Sequence, residues 1–221
     1  MSNVDYGRAV TCVYCLENGH ISREQVFSRG RHFYLCAPRG QLIEGFLVIA
    51  PYACTAALSK LPQSVFEELA MMQARVRRFY AAAYKTTAAL FYEQGRGGGS
   101  VRVDPVDQFP LHAHLCCLPA SLNLHATLSR TYRPIPLPEG VRQLPAIVGG
   151  RPYIYVDAGG ESIAYIAHRD SQVPEIASAR LKPVVAELLG FRERADWRSY
   201  PGERELGQVI VNWRRHCETR A

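Results

Sequence analysis

The segment Leu111-His-Ala-His-Leu-Cys-Cys117 decides how the chain folds and where its chemistry lies. Alternate side chains of a β-strand point to opposite faces of a sheet, so this segment sorts into two sets. The set predicted to point into the core is Leu111, Ala113, Leu115 and Cys117. The opposite face carries His112, His114 and Cys116. Two imidazoles and a thiol on one face predict a chemical site, and two core histidines bonded to backbone carbonyls are the structural alternative.

The elements before this segment predict an α+β fold with one antiparallel sheet and a long helix packed on it. Runs rich in aromatic and β-branched residues predict strands at 31–36, 45–50 and 88–92, with a further strand at 112–118. Leu61-Pro62 introduces the helix, because proline is tolerated in a first turn. Its apolar residues recur at spacings of three and four: Val65, Leu69, Met72, Val76, Phe79 and Ala83.

A proline-rich stretch, Arg133-Pro-Ile-Pro-Leu-Pro138, predicts a break in the chain. We therefore expect one domain over residues 1–132, beginning with a knuckle at Cys12 to Cys15, and a small C-terminal α/β extension over 133–221. In the extension, residues 152–156 and 162–166 predict a hairpin. Residues 176–189 and 205–213 predict helices, although Pro183 weakens the middle of the first.

Composition limits the class of protein. The 221 residues are 48% hydrophobic, which suits a packed domain and excludes a disordered chain. No apolar run is long enough to cross a bilayer, and the polar first residues do not resemble a secretory signal. These features predict a cytoplasmic protein with no membrane partner. The net charge of +6 favours anionic partners such as nucleotides or nucleic acid, although a solvated basic face is the plainer interpretation.

Cysteine spacing predicts a metal site. Without a secretion signal the seven cysteines should stay reduced, and Cys12-Val-Tyr-Cys15 has the spacing of half a tetrahedral zinc site. The other ligands must come from distant residues, and Cys54 and His112 are the candidates. A redox pair is the alternative for this motif, but the βαβ context expected for it is absent.

The glycine loop Gly95-Arg-Gly-Gly-Gly-Ser100 offers backbone N–H groups that can approach a phosphate closely. It lacks the lysine and the spacing of a P-loop. A flexible connection is the alternative for this segment.

Several of these blocks, taken in order, resemble the histidine-triad (HIT) superfamily over roughly the first 120 residues. They are the N-terminal C-x-x-C, Gly45-Phe-Leu-Val-Ile-Ala-Pro51, the Leu-Pro-introduced helix, Phe91-Tyr-Glu-Gln-Gly95 and His112-Ala-His-Leu-Cys116. The resemblance implies a HIT-like sheet. It also implies a structural zinc ion bound by Cys12, Cys15, Cys54 and His112.

The same resemblance implies roles for individual residues. His114 takes the position of the catalytic nucleophile, with His112 and Cys116 as the other members of the catalytic group. Three positions depart from the family pattern: Cys116 replaces a third histidine, Gln94 replaces another, and Ala37 replaces an acidic residue. The implied substrate-binding residues are Glu93, Gly95, Gly98, Gly99 and Ser100.

The function expected from this resemblance is enzymatic. The chain would be a nucleotidyl transferase or hydrolase acting on nucleoside phosphoramidates, dinucleoside polyphosphates or nucleotide sugars through a nucleotidyl-His114 intermediate. The alternative is a non-catalytic, zinc-containing module that binds a nucleotide or RNA. A homodimer is compatible with either function.

Overall fold

A computed structural model describes residues 12–96, 112–178 and 180–218. Within them, eight strands form one sheet in the order β1-β2-β3-β5-β4-β7-β8-β6, and all neighbouring strands are antiparallel. The strands are β1 Val26–Arg29, β2 Phe33–Cys36, β3 Leu47–Pro51, β4 Leu90–Gly95, β5 Leu115–Leu118, β6 Arg133–Pro136, β7 Tyr153–Ala158 and β8 Glu161–Ile166. The predicted α+β class is confirmed.

Helices lie on both faces of the sheet. They are α1 Phe66–Ala83, α2 Leu124–Leu128, α3 Leu144–Val148, α4 Val173–Ser178, α5 Leu181–Leu188 and α6 Glu203–Trp213. A π-helical turn, Arg214–Glu218, continues α6. The predicted long helix is α1.

The strand β5 lies in the middle of the sheet, between β3 and β4. Its side chains alternate as predicted: Leu115 and Cys117 contact the core layer beneath α1, and Cys116 contacts the opposite layer. The strand begins at Leu115, however, three residues later than expected. The backbone before it bends toward the loop after β3, where Ala113 N donates to Thr55 O at 2.6 Å.

The layer beneath α1 holds a cluster of buried aromatic rings. Phe66, Val76 and Phe79 of α1 are fully or almost fully buried against the sheet. Trp213, at the end of α6, stacks on Phe27 with ring centroids 4.9 Å apart, and it contacts Phe79 at the same distance. The apolar side of α1, predicted from the spacing of its residues, therefore covers one face of the sheet.

The face of the sheet opposite α1, the second face, is covered by α4 and α5. Ile176 of α4 and Val185 of α5 are fully buried and belong to the same apolar layer as Tyr92 and Cys116. Strands buried on both faces lose the alternation of apolar and polar residues, and all four residues of β2 and of β5 are buried. The C-terminal helices thus lie against the sheet face that carries Cys116.

The C-terminal strands continue the same sheet. The strand β7 pairs with β4, and the β7–β8 hairpin turns at Gly159 and Gly160, both at positive φ. The proline-rich stretch does more than interrupt the chain, because Arg133–Pro136 forms β6 at the edge of the sheet. An edge strand tolerates proline, which has no N–H to donate, because one side of the strand has no neighbouring strand to bond. The division of the chain at residue 133 stays a prediction.

The predicted helix over 176–189 is two helices, α4 and α5. Pro183 lies in the first turn of α5, where its missing N–H removes no intrahelical hydrogen bond. Gly190, with φ of 79°, follows α5 as expected. Among the described residues, no helix combines the length and apolar character needed to span a membrane.

The covering of the second face is testable by truncation. Leu181 and Leu188 both belong to α5, but Leu181 is 5% exposed and Leu188 is 43% exposed. Leu181→Ala should lower the free energy of unfolding by about 2–5 kcal/mol, because it leaves a cavity against the sheet. Leu188→Ala should change it by less than about 0.5 kcal/mol. Urea denaturation measures both, and equal losses would contradict this placement of α5.

Candidate metal centre

Four ligand atoms from three distant segments come together at one end of the sheet. The thiols of Cys12, Cys15 and Cys54 and one ring nitrogen of His112 all lie within 4.8 Å of one another. His112 Nδ1 lies 3.3 Å from Cys12 Sγ and 3.5 Å from Cys15 Sγ. A tetrahedral zinc with normal bond lengths separates sulfur and nitrogen ligands by about 3.6 Å. The donor set and its spacing therefore fit a metal ion.

His112 is held in the orientation that a metal ligand needs. The side chain is 1% exposed, and its Nε2 donates to the carbonyl of Pro51 at 2.8 Å. This bond places the ring proton on Nε2 and leaves the lone pair of Nδ1 facing the thiols. Metal-ligating histidines commonly use such a second hydrogen bond to fix the tautomer and the ring plane.

The knuckle at Cys12 and Cys15 is a tight local structure. Cys15 N donates to Cys12 O at 3.2 Å, and the side chain of Asn18 donates to the same carbonyl at 2.9 Å. The hydroxyl of Tyr34, in β2, donates to the carbonyl of Tyr14. The knuckle is thus attached to the sheet independently of its thiols.

Cys54 lies in the loop after β3, and buried groups hold this loop in place. Leu58 N donates to a carboxylate oxygen of Glu93 at 2.7 Å. The other carboxylate oxygen accepts a 2.6 Å hydrogen bond from Tyr153. Cys54 itself is exposed, so the cluster lies at the protein surface.

The surroundings give the thiols different acidities. For Cys12, burial raises the pKa, but its interactions with His112 and Cys15 outweigh this effect and leave the pKa at about 7. Burial raises the pKa of Cys15 and of Cys54, and the neighbouring thiol of Cys12 adds to this effect at both positions. One thiol is therefore readily ionised beside two that need a cation to lose their protons, and a metal ion supplies that charge.

His114 faces the knuckle rather than an open cleft. Its Nδ1 donates to His112 O at 2.8 Å, and its ring stacks on Tyr14 with centroids 4.4 Å apart. Burial lowers the pKa of His114 to about 4, and the charges of Lys182 and Arg96 act in the same direction. His114 is therefore a neutral imidazole at physiological pH.

Cys116 is two residues after His114 and lies in the apolar layer that α4 and α5 cover. Burial raises the pKa of its thiol to about 12, and the positive charge of Lys182 offsets this effect only in part. The thiol stays protonated at physiological pH. The structure thus brings His112 and His114 into contact through the backbone, with a buried neutral thiol beneath them.

The predicted substrate-binding residues fall into two groups. Glu93 is 1% exposed, and its carboxylate accepts the hydrogen bonds from Leu58 and Tyr153 described above, while Gly95 is buried against the ring of Tyr153. Gly98, Gly99 and Ser100 lie outside the described residues. Glu93 and Gly95 therefore contact other parts of the protein interior.

Two neighbours of this region were missed by the sequence analysis. Tyr14 stands between the two knuckle cysteines, and an aromatic residue inside a C-x-x-C could have indicated a ring packed on the site. Lys182 of α5 is close enough to His114 and Cys116 to affect both pKa values. No local pattern connects residue 182 to residues 114 and 116, because only the covering of the second face brings them together.

Comparison with known proteins adds one family. Residues 6–128 match the model of the family described as "Protein similar to CwfJ C-terminal". The match covers 123 of the 221 residues, more than half of the chain, and it includes all four ligands of the cluster. No curated protein matches the sequence.

This match corrects the sequence analysis. The assignment to the HIT superfamily is wrong, because the family whose model fits these residues is a different one. The expected nucleotidyl transferase or hydrolase activity is wrong for the same reason. The roles given to His114, Cys116, His112 and the substrate-binding residues came from that resemblance, and they lose this support.

The metal site is testable by substitution of its exposed ligand. Cys54→Ser should weaken metal binding by more than about 100-fold, because loss of a ligand exceeds the 10–100-fold effect of an outer-sphere change. Cys217→Ser should leave metal content unchanged, because Cys217 lies outside the cluster. Elemental analysis of the purified proteins measures both, and equal metal content in the two variants would contradict the assignment.

The buried carboxyl group that holds the Cys54 loop should make stability depend on pH. Burial raises the pKa of Glu93 from 4.5 to about 7, and the hydrogen bonds from Tyr153 and Leu58 offset this only in part. The folded state therefore favours the protonated form. This contribution to stability is complete below pH 4.5 and is lost as the pH rises through about 7.

Glu93→Gln removes this titration. The unfolding free energy of the unmodified protein relative to this variant should fall by about 3 kcal/mol between pH 4.5 and pH 7.5. Glu187→Gln, at an exposed position of α5, should show no such difference. A pH-independent difference between Glu93→Gln and the unmodified protein, measured by urea denaturation, would count against this account of Glu93.

Proposed function

Because the chain belongs to the family of proteins similar to the C-terminal region of CwfJ, we propose that it is a non-catalytic, zinc-containing RNA-binding module. The family match carries the proposal, since CwfJ is a splicing factor and splicing acts on RNA. The matched residues contain the whole metal cluster and the five strands β1 to β5.

Zinc is the metal that the donor set favours. Three thiols and one imidazole are soft-to-borderline ligands, and this combination is typical of structural zinc. Four protein ligands complete a tetrahedron and leave no position for a substrate or an activated water. This coordination supports a structural role rather than a catalytic one.

Zinc would hold three segments in one arrangement. The knuckle, the loop of Cys54 and the backbone before β5 would share one ion, supported by the hydrogen bonds from His112 to Pro51 and from Ala113 to Thr55. When bound, zinc supplies the positive charge that keeps the three thiols ionised. The residues themselves fix the imidazole tautomer and set the ring of Tyr14 against His114.

Charge and exposed aromatic surface support RNA as the partner. The chain carries a net charge of +6, which favours a polyanion. Trp197 is 41% exposed, and the guanidinium of Arg198 lies 4.9 Å from the centroid of its ring. An exposed ring beside a cation is an arrangement on which a base of single-stranded RNA can stack.

The salt dependence of binding distinguishes an RNA module from a mononucleotide pocket. Single-stranded RNA of 20 nucleotides should bind the zinc-loaded protein, and its affinity should fall about 20-fold between 50 and 200 mM KCl if three phosphates are neutralised. Fluorescence anisotropy of labelled RNA measures the affinity. A mononucleotide such as AMP should not compete at concentrations near its cellular level.

Two results would overturn the proposal. One is the absence of RNA binding at 50 mM KCl by protein that contains one zinc. The other is salt-independent binding that AMP displaces, because this would indicate a pocket for a single nucleotide.

A further inference from the structure

A cavity of about 330 Å³ lies between α1 and the π-helical turn that follows α6. Its walls include Arg75, Arg78 and Ala82 on α1, and Arg215 and His216 on the turn. Among the described residues that line it, none is acidic. The cavity therefore concentrates three guanidinium groups in a concave surface, outside the metal centre.

Arg75 is positioned by contacts that leave it little freedom. Its Nη1 donates to Ser28 Oγ at 2.7 Å, and its guanidinium lies 5.2 Å from the centroid of the Trp213 ring. Trp213 is itself held between Phe27 and Phe79. An arginine fixed on a stacked aromatic group is preorganised and loses little entropy when it binds an anion.

The other two arginines are exposed and converge on the cavity from different elements. Arg78 lies one turn after Arg75 on the same face of α1, and like charges at this spacing repel each other. Arg215 belongs to a π-helical turn, a rare local structure that is frequent at functional sites. All three arginines line one concave space, and they reach it from two different elements.

We infer that the cavity between α1 and the π-helical turn is a phosphate-binding site in which Arg75, Arg78 and Arg215 hold the oxygens of one phosphate group. The guanidinium group matches phosphate geometry because it offers paired N–H donors in a plane. The phosphate comes from the RNA backbone if the proposed function is correct, and this source rests on that proposal. A free phosphate compound is the other source of the same chemistry.

The test compares two double variants that remove the same charge. Arg78→Gln/Arg215→Gln removes two exposed arginines of the cavity. Arg130→Gln/Arg169→Gln removes two exposed arginines from a second concave surface, formed with Thr131, His168 and Gln172. The probes are labelled 20-nucleotide single-stranded RNA, followed by anisotropy over a range of KCl concentrations, and inorganic pyrophosphate, followed by calorimetry.

If the inference is correct, the cavity variant should bind RNA at least about tenfold more weakly. The slope of log affinity against log salt should become smaller by about 0.7, the value for one phosphate contact on a single strand. Pyrophosphate should bind the unmodified protein and the control variant but not the cavity variant. Equal losses of RNA binding in both variants, with pyrophosphate binding unchanged, would overturn the inference and leave the RNA proposal standing.

If the protein binds no RNA, the pyrophosphate result distinguishes failure of the RNA proposal from failure of the phosphate-site inference. Pyrophosphate binding that depends on Arg78 and Arg215 would then support the cavity as a site for a free phosphate compound, although the RNA proposal fails. No binding of either probe would overturn both. Thermal melting of the two variants checks that each is folded at the temperature of the assay.

Discussion

The fold depends on one side chain that joins three parts of the chain. His112 directs Nδ1 toward Cys12 and Cys15 and donates from Nε2 to the carbonyl of Pro51 at the end of β3. The residue after it donates to the loop that carries Cys54. Because β5 follows within three residues, the position of the central strand and the geometry of the four-ligand cluster are fixed together. Loss of the metal would remove one connection among these three segments, whereas the hydrogen bonds of Tyr34 and Glu93 still attach the knuckle and the loop of Cys54 to the sheet.

Burial of both faces of the sheet decides what the central strand can do. Cys116 points away from α1, as a strand residue between Leu115 and Cys117 must, but α4 and α5 cover that face. Burial there keeps the thiol protonated, and it also leaves His114 uncharged against Tyr14. The alternation of histidine and cysteine suggests a reactive face in the sequence. In the folded chain, His112 belongs to the four-residue cluster, His114 stacks on Tyr14 and Cys116 is a core residue.

The sequence predicts the features that follow from local patterns. The spacing of apolar residues gives α1, the turn at Gly159 and Gly160 gives the β7–β8 hairpin, and cysteine spacing with the position of His112 gives all four members of the cluster. Features that depend on distant packing are missed. Proline in residues 133–138 indicates a break, although an edge strand tolerates it as β6. No local sequence pattern shows that α5 lies against Cys116, or that Arg75 and Arg215 line the same cavity. The family resemblance was built from short motifs, and it led to the wrong superfamily.

The central claim is that three thiols and one imidazole hold a single zinc ion. X-ray absorption spectroscopy at the zinc edge, on protein purified without added chelator, measures the ligands directly. Three sulfur atoms at about 2.3 Å and one nitrogen at about 2.0 Å, with one zinc in each chain, are the expected result. A shell dominated by oxygen or nitrogen, or a zinc content far below one, would contradict the assignment of Cys12, Cys15, Cys54 and His112 as a zinc site.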